Sequence, residues 1–129
     1  MAEMVKTVVY DAPEKDVLLN PDNAFQIGVV VSATGVQADA NGRKIIKAGT
    51  PVGATDSALL VRGTTLKVTN DAENANLSQG VLRHDVDVTA GSADATLIVR
   101  GEVDISKTPD ILDAVMTTLK HIIFVDGGL

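Results

Sequence analysis

Two histidines and seventeen acidic residues are the side chains of this sequence that could do acid–base or metal chemistry. They come together at one place, His84-Asp85-Val86-Asp87. An imidazole beside carboxylates can hold a metal or move a proton. The spacing works against this. On an extended strand successive side chains face opposite ways, so His84 points with Val86 and away from Asp85 and Asp87. The two carboxylates then share a face about 7 Å apart, too far to share a proton tightly. With Asp94 across the following turn they could at most hold calcium weakly. A solvated strand face accounts for the same residues. His121 falls at the end of an expected helix, where a surface position explains it.

Other catalytic signatures are missing from the chain. Gly49, Gly53 and Gly63 are too dispersed to cradle a phosphate, and no Gly-Lys-Ser/Thr follows them. There is no Gly-x-Ser-x-Gly nucleophile elbow. The acidic residues could supply a glycosidase pair in principle, but they are spread through strands and turns, and no Trp is present to hold a sugar. The sequence therefore proposes no active site, no cofactor and no catalytic residue, and points away from an enzyme.

Composition bounds the alternatives. The chain of 129 residues fits one domain and is 45% apolar, so a core is available. Aromatics make up 2%, so that core must be built from Val, Ile, Leu and Ala. The formal charge is −6, no dense basic run occurs, and there is little on which to stack a base. Nucleic acid is thus an unsuitable partner. Cysteine is absent, which excludes disulfides and thiolate metal sites. The first sixteen residues lack an apolar stretch of signal-peptide length, and no apolar run is long enough to span a bilayer, so a soluble protein made without the usual export is expected.

The elements that would position these residues can be taken in order. Val5, Val8, Val9 and Tyr10 suggest a short extended segment before a polar connector, so residues 1–20 read either as a frayed terminus or as an arm that adds a strand to a partner's sheet. Residues 21–129 form the single β-rich domain. Phe25, Ile27, Val29 and Val31 mark a strand apolar on both faces toward its end, as central strands are. Asn41-Gly42 signals a hairpin, with residues 43–47 returning. Residues 48–53, with two glycines around Pro51, predict a corner. Residues 58–62 and 66–69 predict short strands. Ala58-Leu59-Leu60-Val61-Arg62-Gly63 is echoed by Thr96-Leu97-Ile98-Val99-Arg100-Gly101, which suggests either two buried strands of the same make-up or a duplicated structural role.

Residues 80–109 are the clearest stretch. Val86 and Val88 alternate with Asp85 and Asp87, and residues 90–94 make a turn. A second strand then puts Leu97, Val99, Val103 and Ile105 on one face and Ile98, Arg100, Glu102 and Asp104 on the other. Thr108-Pro109-Asp110 carries a helix start signal, with an apolar stripe of Ile111, Leu112, Val115, Met116 and Leu119. Residues 122–125 predict a final strand. The expected fold is mainly β: a compact antiparallel β-barrel or sandwich with one C-terminal α-helix and an extended N-terminal arm. The helix would close one mouth.

Over residues 80–104 the chain resembles the head decoration proteins of tailed phages, including the base domains of head fibre proteins. The residues that carry this are Gly80-Val81-Leu82, Asp85-Val86-Asp87-Val88-Thr89-Ala90-Gly91 and Ala95-Thr96-Leu97-Ile98-Val99-Arg100-Gly101-Glu102-Val103-Asp104. Ile46-Lys47-Ala48-Gly49-Thr50-Pro51-Val52-Gly53 fits the same pattern upstream. The resemblance runs from the Asn41-Gly42 turn to the final helix; the first forty residues match less well.

It implies a capsid cement protein, a homotrimer on the virion exterior made in the host cytoplasm. Such a protein binds the major capsid protein, bridges neighbouring capsomers and stabilises the shell, with no nucleic-acid or membrane partner. In lambda-type members an N-terminal arm orders on the capsid; by similarity it would be Met4, Val5, Lys6, Thr7, Val8, Val9 and Tyr10. Trimerisation would bury further aliphatic surface such as Ile98 or Val30. The competing classes are a calcium- or carbohydrate-binding β-module of a phage tail or surface adhesin, with Asp85, Asp87 and Asp94 as ligands, and a small trimeric β enzyme.

Overall fold

The structure, a computed structural model, describes residues 16–127. The described strands are β1 (Leu18–Leu19), β2 (Phe25–Val31), β3 (Ile45–Ile46), β4 (Pro51–Gly53), β5 (Thr65–Val68), β6 (Ser78–Leu82), β7 (Val86–Asp87), β8 (Ala93–Asp104) and β9 (Ile122–Val125), with one α-helix, α1 (Asp113–Thr118). Short 3-10 turns occupy Pro21–Asn23, Ala75–Leu77 and Ile105–Lys107. The residues of the expected arm, Met4 to Tyr10, lie outside those described. Val17 and Leu18, just beyond them, are buried in the body, with β1 antiparallel to β8.

The barrel follows from pairing. β8 runs beside β2, β2 beside β5, β5 beside β4, β4 beside β6, and β6 returns to β8. Five strands therefore close on themselves, which removes the open edges a flat sheet of these strands would leave. The pairings are antiparallel except β2–β5 within the ring and β8–β9 beyond it. The inward face is aliphatic: Val29, Val31, Val52, Leu66, Leu82 and Leu97 fill it. Burial of each such side chain contributes about 1.5–3 kcal/mol. The ribbon β3–β7 brings Ile46, Val86 and Val88 to the same cluster.

A second cluster lies on the barrel's outer wall. Val81 and Ile98 are covered there by Val17, Leu18, Val103, Val115, Leu119 and Ile122. The aromatic-poor composition thus yields two small aliphatic cores separated by one wall. β8 serves both: alternation sends Leu97 and Ile98 to opposite sides, and a bulge then brings Val103 to the side of Ile98. Phe25 pairs with Arg100 but Gln26 pairs with Ile98, so one residue of β8 is skipped and the alternation reverses. Leu97 faces the inner core, Ile98 the outer, and Val103 joins Ile98 rather than Leu97. The alternation expected through residue 105 fails at that point.

Several other expectations need correction. Residues 85–88 do not form a hairpin with the strand after them: β7 pairs with β3, and β6 is the partner of β8. The segment returning from Gly42 accordingly meets β7, not β2. Residues 51–53 are no corner; Pro51 opens a barrel strand, and Gly53 lets β4 approach so closely that an added Cβ would strike the Leu77 carbonyl. Residues 58–62 are turn rather than strand, so the sequence echo at 96–101 has no structural counterpart. The helix is six residues long and begins at Asp113, not Pro109. Asn70 holds residues 110–112 outside it, donating from Nδ2 to the Asp110 carbonyl and accepting the Leu112 N–H. Thr108 does not cap; its hydroxyl donates toward the carbonyls of Ile105 and Pro109. The predicted strands 25–31 and 122–125, and the turn at Gly91, are present.

Candidate contact surface

The barrel mouth at the Phe25 end carries an apolar loop. Gln79, on β6, fixes its base: Nε2 donates to the carbonyls of Ala54 (3.1 Å) and Asp56 (2.6 Å), and Oε1 accepts the Ala58 N–H (2.9 Å). Ser57 tightens the next turn, its carbonyl accepting from the N–H groups of Leu60 and Val61 and its hydroxyl from that of Leu59. Thr64 closes the loop by donating to the Val61 carbonyl (2.8 Å). Backbone groups that usually seek water are paired within the loop, so its conformation is held locally. Ala58 packs on the inner core, while Leu59, Leu60 and Val61 are 52%, 85% and 43% exposed. Phe25 is exposed at the same end of β2. A fixed loop displaying adjacent aliphatic side chains gains little local stability from them and leaves an apolar surface at the barrel mouth.

Beneath the loop, Ile27, Leu97, Val99 and Leu59 share a small cavity of about 190 Å³ with residues 118–121. The chain leaving α1 thus borders this cavity, whereas the helix itself does not close the mouth and packs on the outer cluster through Val115. Of the two residues offered for trimerisation, Val30 is exposed on the outer face of β2, but Ile98 is wholly buried within the chain. Ordinary alternation sets Ile98 opposite Leu97, and its face of β8 is covered by the second core rather than left open.

The histidine–aspartate cluster is dispersed, as its spacing implies. Asp85 accepts the Ala48 N–H (2.7 Å), tying together segments 37 residues apart, and Asp87 accepts that of Thr89 (2.9 Å) in a local turn, so each carboxylate is engaged with backbone. Hydrogen bonds from Thr89 hold the Asp87 carboxyl below its ordinary value. Among the described residues no three metal-capable side chains converge. His84 and His121 are exposed and far apart in role, His84 beside Arg83 and His121 at the loop mouth.

At the first described residue, Asp16 forms an ion pair with Arg83 Nη2 at 3.0 Å, and Arg83 Nη1 donates to Gln26 Oε1 at 3.0 Å. Burial pushes the Asp16 carboxyl up, but the Arg83 hydrogen bond, the Leu18 N–H and the charges of Arg83 and His84 outweigh it and leave it lowered. Residue 16 is therefore anchored to the barrel wall at a defined place. Sequence reading missed this contact and the loop tip alike. No family model matches the chain, and no curated protein matches it. No helix among the described residues is long and apolar enough to cross a membrane.

Proposed function

We propose that this chain is a structural virion protein that binds the exterior of a phage capsid and stabilises it, bridging capsomers as a homotrimer, with no catalytic activity. The observation that carries the reading is the rigid apolar display at residues 59–61 on a closed barrel. Contact surfaces of this kind bury best against another protein, and the barrel supplies the rigidity that a cement needs against outward pressure. The resemblance over residues 80–104 falls on β6, β7 and β8, the part of the fold that carries both cores. Anchoring of residue 16 at Arg83 gives an arm at residues 4–10 a fixed root from which to reach a capsid strand.

The reading is tested by sedimentation of the purified protein, followed by mixing with undecorated expanded capsids of the phage whose major capsid gene neighbours this one. A trimer at micromolar concentration and stoichiometric capsid binding are expected. A protein that stays monomeric and leaves capsid heat resistance unchanged would refute it. Removal of residues 1–10 separates arm-dependent attachment from attachment through the body: capsid binding should fall while the trimer persists.

A further inference from the structure

A cleft of about 900 Å³ has the Asp16–Arg83 pair in its lining. One wall is the crossing segment Ser106 to Pro109, and the other is formed by residues 47–48 and 83–85. The walls are joined firmly. Thr108 packs onto Gly49, which adopts φ +87° and has no room for a side chain there, and Asp85 ties the Ala48 backbone. The cleft is therefore preformed.

Its electrostatics run against those of the chain. The protein is acidic overall, yet Lys47, Arg83 and Lys107, three of its eleven basic residues, line this one depression together with His84. The acids among them are already engaged. Asp16 accepts from Arg83 and from the Leu18 N–H, and Asp85 accepts from Ala48. The cations are not matched in the same way. The side chains of Lys47 and His84 make no hydrogen bond or ion pair with the described residues, and Lys107 reaches Asp104 only at 4.0 Å. Arg83 shares its charge with one half-exposed carboxylate and the neutral Gln26, and its Nε is buried with no acceptor. Basic side chains with incomplete compensation, gathered on one depression, raise the local concentration of anions.

We propose that this cleft binds an acidic peptide segment of a partner protein, with Lys47, Arg83 and Lys107 meeting its carboxylates. The volume exceeds that of one small anion, and Ala48, Thr108 and Pro109 supply an apolar strip along which a peptide backbone can lie. The inference stands whether or not the chain attaches to a capsid.

The test is an amide NMR titration of the full chain with three probes: a blocked peptide of three consecutive acidic residues flanked by glycines, its uncharged amide counterpart, and inorganic phosphate. The acidic peptide should shift the signals of Lys47, Ala48, Arg83 and His84, and bind more tightly than either control. The doubly reversed variant Lys47→Glu, Lys107→Glu should weaken binding at least tenfold. Lys107 also lies 4.0 Å from buried Asp104, so the double variant should melt somewhat lower; the single variant Lys47→Glu, at an exposed residue without that neighbour, should keep the parent's melting temperature and still weaken binding. Shifts elsewhere, an equal response to the uncharged peptide, phosphate binding as tight as the peptide's, or binding unchanged by charge reversal would each overturn the proposal.

Discussion

Asp104 shows how a single carboxylate can hold several segments together. It is almost wholly buried and accepts from the Ser106 N–H (3.0 Å), the Ser106 hydroxyl (2.6 Å) and the Gly127 N–H (2.9 Å), while its own N–H donates to the Val17 carbonyl. The Ser106 hydroxyl, outweighing the effect of burial with help from the Gly127 and Ser106 N–H groups and Lys107, holds its carboxyl below the ordinary 3.8. A group lowered in the folded state contributes stability that is fully present above its unfolded value and is lost as pH falls through its folded one. Stability should accordingly decline below about pH 4. The Asp104→Asn variant should melt lower at neutral pH and show a flatter decline on acidification. Urea midpoints measured across pH 2 to 7 check both, and parallel acid limbs would remove Asp104 from the account. Core and tip residues should differ sharply. Leu82→Ala, inside the barrel, should cost about 2–5 kcal/mol, whereas Leu60→Ser should change stability by less than about 0.5 kcal/mol. Denaturant unfolding of the two variants reads this contrast directly.

At the scale of elements, β8 is the strand on which both cores depend. Its amides at Leu97 and Ile98, paired to β2 on one side and β6 on the other, should exchange with solvent near the global unfolding limit, while those of residues 58–63 exchange far sooner. Exchange of uniform rate across both would contradict the two-core layout. β4 offers a second test. Gly53→Ala places a methyl group against the Leu77 carbonyl, a backbone atom that cannot swing aside, so it should destabilise by about 1–3 kcal/mol. The strands at 25–31 and 122–125 were legible because their apolar residues cluster over lengths that only extended chain fits. The alternation of β8 was legible up to the bulge, which leaves no signature in side-chain pattern. β4 was misread because proline and glycine forbid most strands, yet Pro51 stands at a strand start and Gly53 at a close approach. The loop at 58–62 was misread because Leu-Leu-Val favours a strand when composition alone decides. What overrides it is Gln79, 21 residues after Ala58 in sequence, whose side chain pins the loop base. Long-range hydrogen bonds of this kind are invisible to local pattern. The same holds for Asn70, which delays the helix start by gripping residues 110–112.

For the whole molecule, the sequence made plain a β-rich, aromatic-poor body and the splitting of His84 from its neighbouring aspartates. It could not disclose that the echo of residues 96–101 at 58–63 would be turned outward as an apolar tip, nor that basic residues far apart in the chain would line one cleft. Both depend on which elements the closed barrel brings side by side. The molecule that results has two small cores, a shared wall between them and an exposed apolar loop at one mouth. The proposed trimer predicts a role for that loop: Leu60→Glu should shift the sedimentation boundary toward monomer while Leu60→Ala shifts it less. The most direct measurement of the central proposal is a saturation isotherm of the purified protein on undecorated expanded capsids, read as copies bound per capsid. Saturation in multiples of three, with heat resistance of the shell rising in step with occupancy, is the predicted result. No saturable binding, or binding that leaves the heat resistance of the shell unaltered, would contradict it.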